Sequence, residues 1–293
     1  MIVKTLHALL HTIVDYAGLF PPASLSMTDA VRNYSEYRRD MHSWMLGRFV
    51  VPVSRLDELA DAARDVADLG HWKLSALVGE DFAADSARIV EFNRRGRAIQ
   101  IDAAEVKAAS PDTVARAALA LPRDVKTYVE VPLGGDMRML IASVAGNKLR
   151  AKIRTGGVVP DAVPPVAEVA QFLRECYALG VPFKATAGLH HPLRAERALT
   201  YAPDSPRAPM HGFLNVFLTA AFQYNGLTRS DALELLSLPS LDGVFLRDQI
   251  IEWKDYYVTL QEISTVRRRS AIAFGSCSFR EPVDDLNELG LLP

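Results

Sequence analysis

Short apolar runs of strand length alternate with longer stretches of helical periodicity from the N-terminus to about residue 188. The runs predict strands over His11 to Asp15, Arg48 to Val53, Lys73 to Val78 and Ala98 to Asp102. They continue at Lys126 to Pro132, Leu149 to Arg154 and Val181 to Thr186, and an eighth comes much later, at Ala271 to Ser276. Between them, apolar residues recur at three- and four-residue steps. One such set is Leu56, Leu59, Ala63, Val66 and Leu69; another is Val166, Val169, Phe172, Leu173 and Cys176, closed by Gly180 as a C-cap. Ser110-Pro111 places a capping serine before a proline at the first helical position.

Strand alternating with helix, eight times, predicts a parallel (β/α)8 barrel, with a doubly wound open sheet as the alternative. The whole chain, 1–293, is expected to form one barrel domain. Residues 189–270 break the rhythm with a proline-rich loop and further helical patterns, too long for an ordinary βα connection. They are expected to form a helical insertion between the last two strands, covering the barrel mouth or meeting another subunit. Barrel chemistry collects at the C-terminal ends of strands. By this reading those ends are Asp15, Asp102, Glu130, Lys152 with Arg154, Lys184, and the turn Gly275-Ser276-Cys277-Ser278.

Composition narrows the partners. Acids and bases are mixed and nearly balanced, net charge −2, so no broad field favours nucleic acid or an anionic membrane. The run Arg267-Arg268-Arg269 closes a predicted helix and is expected to be a solvated end complementing the dipole. No apolar run nears the roughly 20 residues of a membrane span, and a cytoplasmic protein acting on a small molecule is expected. A homo-oligomer is left open. Cys176 and Cys277 form no C-x-x-C pair and are expected to pack as small apolar residues.

Lys152 and Lys184 lie 32 residues apart, each at the end of a predicted core strand. Neighbouring strands run roughly 4.8 Å apart, so the two ammonium groups would disfavour each other's charge and one would become a nucleophilic amine. Glu130 could instead pair with one lysine and hold it protonated. His190 and His191 raise a rival reading, a metal site completed by Asp102, Glu130 or His211. Adjacent residues on an extended loop point opposite ways, however, and a histidine acting as acid, base or hydrogen-bond donor is the other expectation.

The strand ends also resemble, in order, those of the deoxyribose-phosphate aldolase type of class I aldolase. Lys152 with Thr155-Gly156 is similar to that family's Schiff-base motif, and Lys184 with Gly188 to the motif of its second lysine. Asp102 falls where the family relays protons, and the 275–278 turn where it binds phosphate. Isoleucine and arginine after Lys152, and Leu189-His190-His191-Pro192 after Gly188, depart from the pattern. The resemblance implies a carbon–carbon lyase acting through a Schiff base, with no cofactor and no metal. Lys152, Lys184, Asp102 and Glu130 would be catalytic; Arg154, Thr155, Gly188, His190, His191, Ser276 and Ser278 would hold an anionic carbonyl substrate.

Overall fold

The computed structural model describes residues 2–64, 66, 70–96 and 98–292. In chain order the elements are α1 (Lys4–Leu10), β1 (Val14–Tyr16), α2 (Met27–Tyr37), β2 (Leu46–Pro52), α3 (Leu56–Ala63) and β3 (Trp72–Leu77). There follow α4 (Phe82–Arg95), β4 (Ile99–Lys107), α5 (Pro111–Ala120), β5 (Lys126–Glu130), α6 (Met137–Gly146) and β6 (Arg150–Arg154). Then come α7 (Val166–Ala178), β7 (Phe183–Thr186), β8 (Ala195–Ala198), β9 (Arg207–Met210), α8 (Phe213–Phe222) and α9 (Arg229–Ser237). The chain ends with β10 (Val244–Leu246), β11 (Ile250–Trp253), β12 (Tyr256–Thr259), α10 (Leu260–Arg269), β13 (Ala271–Ser276) and α11 (Arg280–Glu288).

Strands β1 to β7 and β13 close a parallel eight-stranded barrel in the order β1-β13-β7-β6-β5-β4-β3-β2. It is a (β/α)8 barrel, and the eight expected strands are its staves. The local signals act as their chemistry requires. Ser110 accepts the Thr113 backbone N–H ahead of Pro111, and Gly180, at φ +63°, turns the chain out of α7 into β7. Leu69 of the pattern that opens α3 lies outside the described residues.

Two expectations need correction. Strand β4 does not stop at Asp102 but runs to Lys107, with a register shift against β3 between Ile101 and Ala103. The extra residue is a β-bulge, and the strand beyond it carries Glu105 inward. The stretch 189–270 is also not simply helical. It opens with the antiparallel hairpin β8–β9 and later forms the antiparallel sheet β10-β11-β12. Its central helix, α8, is buried on every side. There Phe213 stacks on Phe274 of β13, and Phe217 leans on Phe183 of β7. Phe213 and Phe217 therefore cover the barrel wall, while the segment around His190 reaches the mouth and the β8–β9 hairpin lies beside it. Among the described residues no helix is long and apolar enough to cross a membrane.

Candidate functional site

The C-terminal strand ends surround a cavity of about 1300 Å³, lined among others by Glu105, Lys107, Glu130, Lys152, Arg154, Lys184, His190 and Cys277. Its floor is a ladder of alternating charge. Asp15 Oδ2 lies 2.6 Å from Lys184 Nζ, which lies 2.6 Å from Glu105 Oε1. Glu105 Oε2 is 2.7 Å from Lys152 Nζ, which is 2.7 Å from Glu130 Oε2. Arg154 Nε closes the series 3.4 Å from Glu130 Oε1. Exposure rises along it: the Lys184 side chain is 2% exposed, that of Glu130 12% and that of Arg154 48%.

Register explains why these groups meet. Lys152 and Lys184 are direct partners across β6 and β7, so both point into the barrel. Glu130 faces Lys152 across β5 and β6, and the bulge at Asp102 sets Glu105 between the two lysines. Ser75 Oγ also donates to Glu105 Oε1, at 2.6 Å. Asp15 accepts the Arg48 backbone N–H through Oδ1. Gly47 permits that approach, since a Cβ there would fall 2.4 Å from the same oxygen.

The ladder fixes protonation. Burial alone would raise the pKa of Glu105, but Lys152 and Lys184 outweigh it and hold the carboxyl far below the usual range. Burial would likewise lower Lys184, but Asp15 and Glu105 outweigh it and raise the amine above the ordinary lysine value. Glu130 is lowered against its burial, by Lys152 first and then by Arg154 and Lys107. The two lysines therefore do not neutralise each other. Glu105, which the sequence reading missed, sits between them: it helps to raise Lys184 and lies 2.7 Å from Lys152 Nζ.

The other expected residues divide. Asp102 is not at the mouth. It pairs with Arg48 through contacts of 2.5 and 2.8 Å and with Lys126 at 3.3 Å, at the end of the barrel where strands begin. The Thr155 hydroxyl donates to the Ala187 and Thr186 carbonyls and so ties two loops together. Gly188, at φ +76°, lies against Gly156 so tightly that a Cβ would come within 2.9 Å of the Gly156 Cα. Ser276 Oγ meets His190 and accepts the Ser278 N–H, while Ser278 Oγ accepts the Glu281 N–H at the start of α11. The Ser278 hydroxyl is thus engaged within its own turn, and that of Ser276 between the turn and His190.

His190 lines the mouth, with Nδ1 2.7 Å from Glu281 Oε2 and 4.0 Å from Cys277 Sγ. Burial opposes its charge, but the contacts to Cys277 and Glu281 outweigh it and lift the pKa to about 10, so the ring is an imidazolium at neutral pH. Cys277 thus belongs to a polar cluster with Tyr201, 3.6 Å from its sulfur, and is more than packing. His191 turns the other way, to Asp285 at 2.6 Å, and His211 is bound to the Pro164 carbonyl. The ligand set of the metal reading is dispersed: among the described residues no three or more His, Cys, Asp or Glu side chains are grouped to hold a metal ion.

No family model and no curated protein matches this chain. Among solved structures it is similar to xylanase 10B from Thermotoga maritima, at 10% identity and TM-score 0.39, over 70% of this chain and 77% of that one. A GH10 endoxylanase retrieved from a sugarcane soil metagenome matches at 10% identity and TM-score 0.35, over 68% and 72% of the two chains. The aldolase resemblance is corrected by the geometry of the site itself. The physical reason lies in the ladder. The lysine pair meant to generate a neutral amine is interleaved with carboxylates, and the acid meant to relay protons stands at the other end of the barrel. The carbon–carbon lyase reading falls with it.

Proposed function

We propose that the chain is an enzyme that binds a small anionic molecule in the C-terminal mouth and moves a proton at a carbon beside its carbonyl or carboxylate. The observation that carries this reading is the ladder of charge rising from the barrel interior to the rim. A buried ion-pair network is a poor source of stability, because desolvation offsets most of its attraction. A barrel floor is ordinarily filled by branched aliphatic side chains. Charges there, graded from sealed to accessible, fit chemistry better than packing.

Roles follow from position. Arg154, at the rim, grips the substrate's anionic group, and the His190 imidazolium lines the same cavity. Glu130 takes the proton from carbon as the C–H electron pair moves into the carbonyl and forms an enolate oxygen. Lys152 donates to that oxygen. Its contacts with Glu105 and Glu130 are close, but the Glu130 oxygen lacks hydrogen-bond direction, so the ammonium keeps N–H groups to offer. The proton on Glu130 then returns to the same or the neighbouring carbon. Glu130 is a weak base while Lys152 and Arg154 face it. When they turn to substrate, burial is opposed by Lys107 only and the basicity of Glu130 rises. The structural neighbours are xylanases; here Glu105 and Glu130, the two carboxylates beside Lys152, are held anionic, which suits a base rather than a carboxylic acid.

The test is deuterium wash-in from D2O, followed by NMR, across keto acids, hydroxy acids and sugar phosphates. Exchange into at least one compound is expected with the unaltered protein and none with Glu130→Gln. Exchange retained in Glu130→Gln, no exchange across the set, or a borohydride-trapped adduct on Lys152 would overturn the reading.

A further inference from the structure

At the opposite end of the barrel, the beginnings of the strands surround a second concavity of about 640 Å³. Lys73, Lys126 and Arg150 enter it from the first residues of β3, β5 and β6. Arg38 joins them from the end of α2, and Arg267 and Arg268 from the end of α10. Among the described residues no aspartate or glutamate lines this cleft. Among the described residues Asp102 is a nearby acid, already shared between Arg48 and Lys126, and Asp15, beyond Arg48, is paired with Lys184.

The remaining charges are not balanced. Lys73 and Arg268 are exposed and have no ion-pair partner among the described residues. The Arg38 guanidinium donates to the His71 carbonyl, and Arg150 lies over the Tyr128 ring. Arg267 is buried, contrary to the solvated helix end expected of it. Its guanidinium donates to the carbonyls of Leu9, His11, Ala271 and Ile272, all of them neutral acceptors. Burial lowers its pKa to about 10, outweighing the field of Asp15, with which it forms no ion pair. Like charges converging in a concave wall repel one another and concentrate positive potential there. At the face of a barrel where side chains ordinarily serve stability, that is a cost with no structural return.

We propose that this cleft binds a small phosphate-bearing polyanion, of about the size and charge of a triphosphate. Guanidinium forks match phosphate oxygens in pairs, and the volume falls among those of small-molecule sites, roughly 300–1,000 Å³. A nucleic acid would need a basic track running along the surface, whereas these cations converge on one hollow. The site shares no residue with the proposed reaction at the other mouth, so either reading can fail alone.

Calorimetric titration of the full chain with inorganic tripolyphosphate at low salt tests it. Saturable binding at one site per chain is expected, weakened by salt and at least about tenfold weaker in Lys73→Gln/Arg268→Gln. That double variant should melt at or above the parent temperature, since it removes repulsion. Arg154→Ala, at the other mouth, should leave the affinity unchanged. Four results would overturn the proposal: no binding, binding insensitive to the double variant, equal loss in Arg154→Ala, or displacement of tripolyphosphate by a single-stranded oligonucleotide that binds more tightly.

Discussion

The inner and outer halves of the ladder contain the same chemistry under different conditions. In the inner half, Lys184 donates 2.6 Å hydrogen bonds to Asp15 and Glu105, and all three are buried. In the outer half, Lys152 lies as close to two carboxylates, yet Glu130 and Arg154 open onto the cavity. Burial raises what a missing partner costs; access permits a partner to be exchanged for substrate. The inner half therefore behaves as a fixed electrostatic support, and the outer half as the part that reacts.

The largest effect belongs inside. Lys184→Met would leave the buried Asp15 carboxylate without its cation and Glu105 with Lys152 alone, and losing one partner of a buried pair costs about 3–5 kcal/mol. A denaturant titration should show a lower midpoint with the slope unchanged. A loss under about 1 kcal/mol would mean water reaches the inner half and the contrast dissolves. Next comes Glu130→Gln, in the outer half. It should lower the rate of proton exchange by about a hundredfold or more, the range of a lost general base, with stability changed far less than in Lys184→Met.

Acid and base separate the two halves again. Glu105 is depressed, so its contribution to stability is present above its ordinary value of 4.5 and is lost as pH falls through its folded value. Lys184 is raised, so its contribution is present below 10.5 and is lost as pH rises through its folded value. Between those limits the inner half should give a flat profile. His190, at the mouth, should not. Its folded pKa of about 10 lies above the ordinary 6.5, so its contribution is full below 6.5 and declines from there toward 10. Melting curves from pH 6 to 9 should therefore fall for the parent and stay level for His190→Gln. Parallel curves would remove the imidazolium from the mouth.

How much of this was legible in the sequence varies by residue. The barrel was, because strand-length apolar runs and helical periodicity are local signals. Lys152 and Lys184 were conspicuous because each ends an apolar run. Glu105 was hidden in Asp102-Ala103-Ala104-Glu105-Val106-Lys107, whose alanines and charges read as the start of a helix or as surface. Only pairing on both sides makes that stretch a strand, and only the bulge at Asp102 turns Glu105 inward. Without Glu105 the two lysines appear as neighbouring like charges, the premise of the aldolase reading. With it they are two cations sharing an anion. Arg267 failed for a similar reason: nothing local distinguishes it from Arg268 and Arg269, and its burial comes from α1 and β13 closing around it.

The smallest effect tests the outermost rung. Arg154 is half exposed and its contact to Glu130 is long, at 3.4 Å, so the pair adds little to folding. Arg154→Ala should change stability by less than about 0.5 kcal/mol, as surface substitutions do. If Arg154 grips the substrate's anionic group, KM should rise about tenfold while kcat changes less, the pattern of a contact made equally in ground and transition states. Arg154→Lys keeps the charge and loses the planar fork, and should recover only part of that affinity. The charge difference can be read from salt: added salt should weaken substrate binding more in the parent and in Arg154→Lys than in Arg154→Ala. A variant with unchanged KM but stability lowered by more than about 1 kcal/mol would place Arg154 with the support rather than the reaction, and the boundary between the two halves would move outward to the rim.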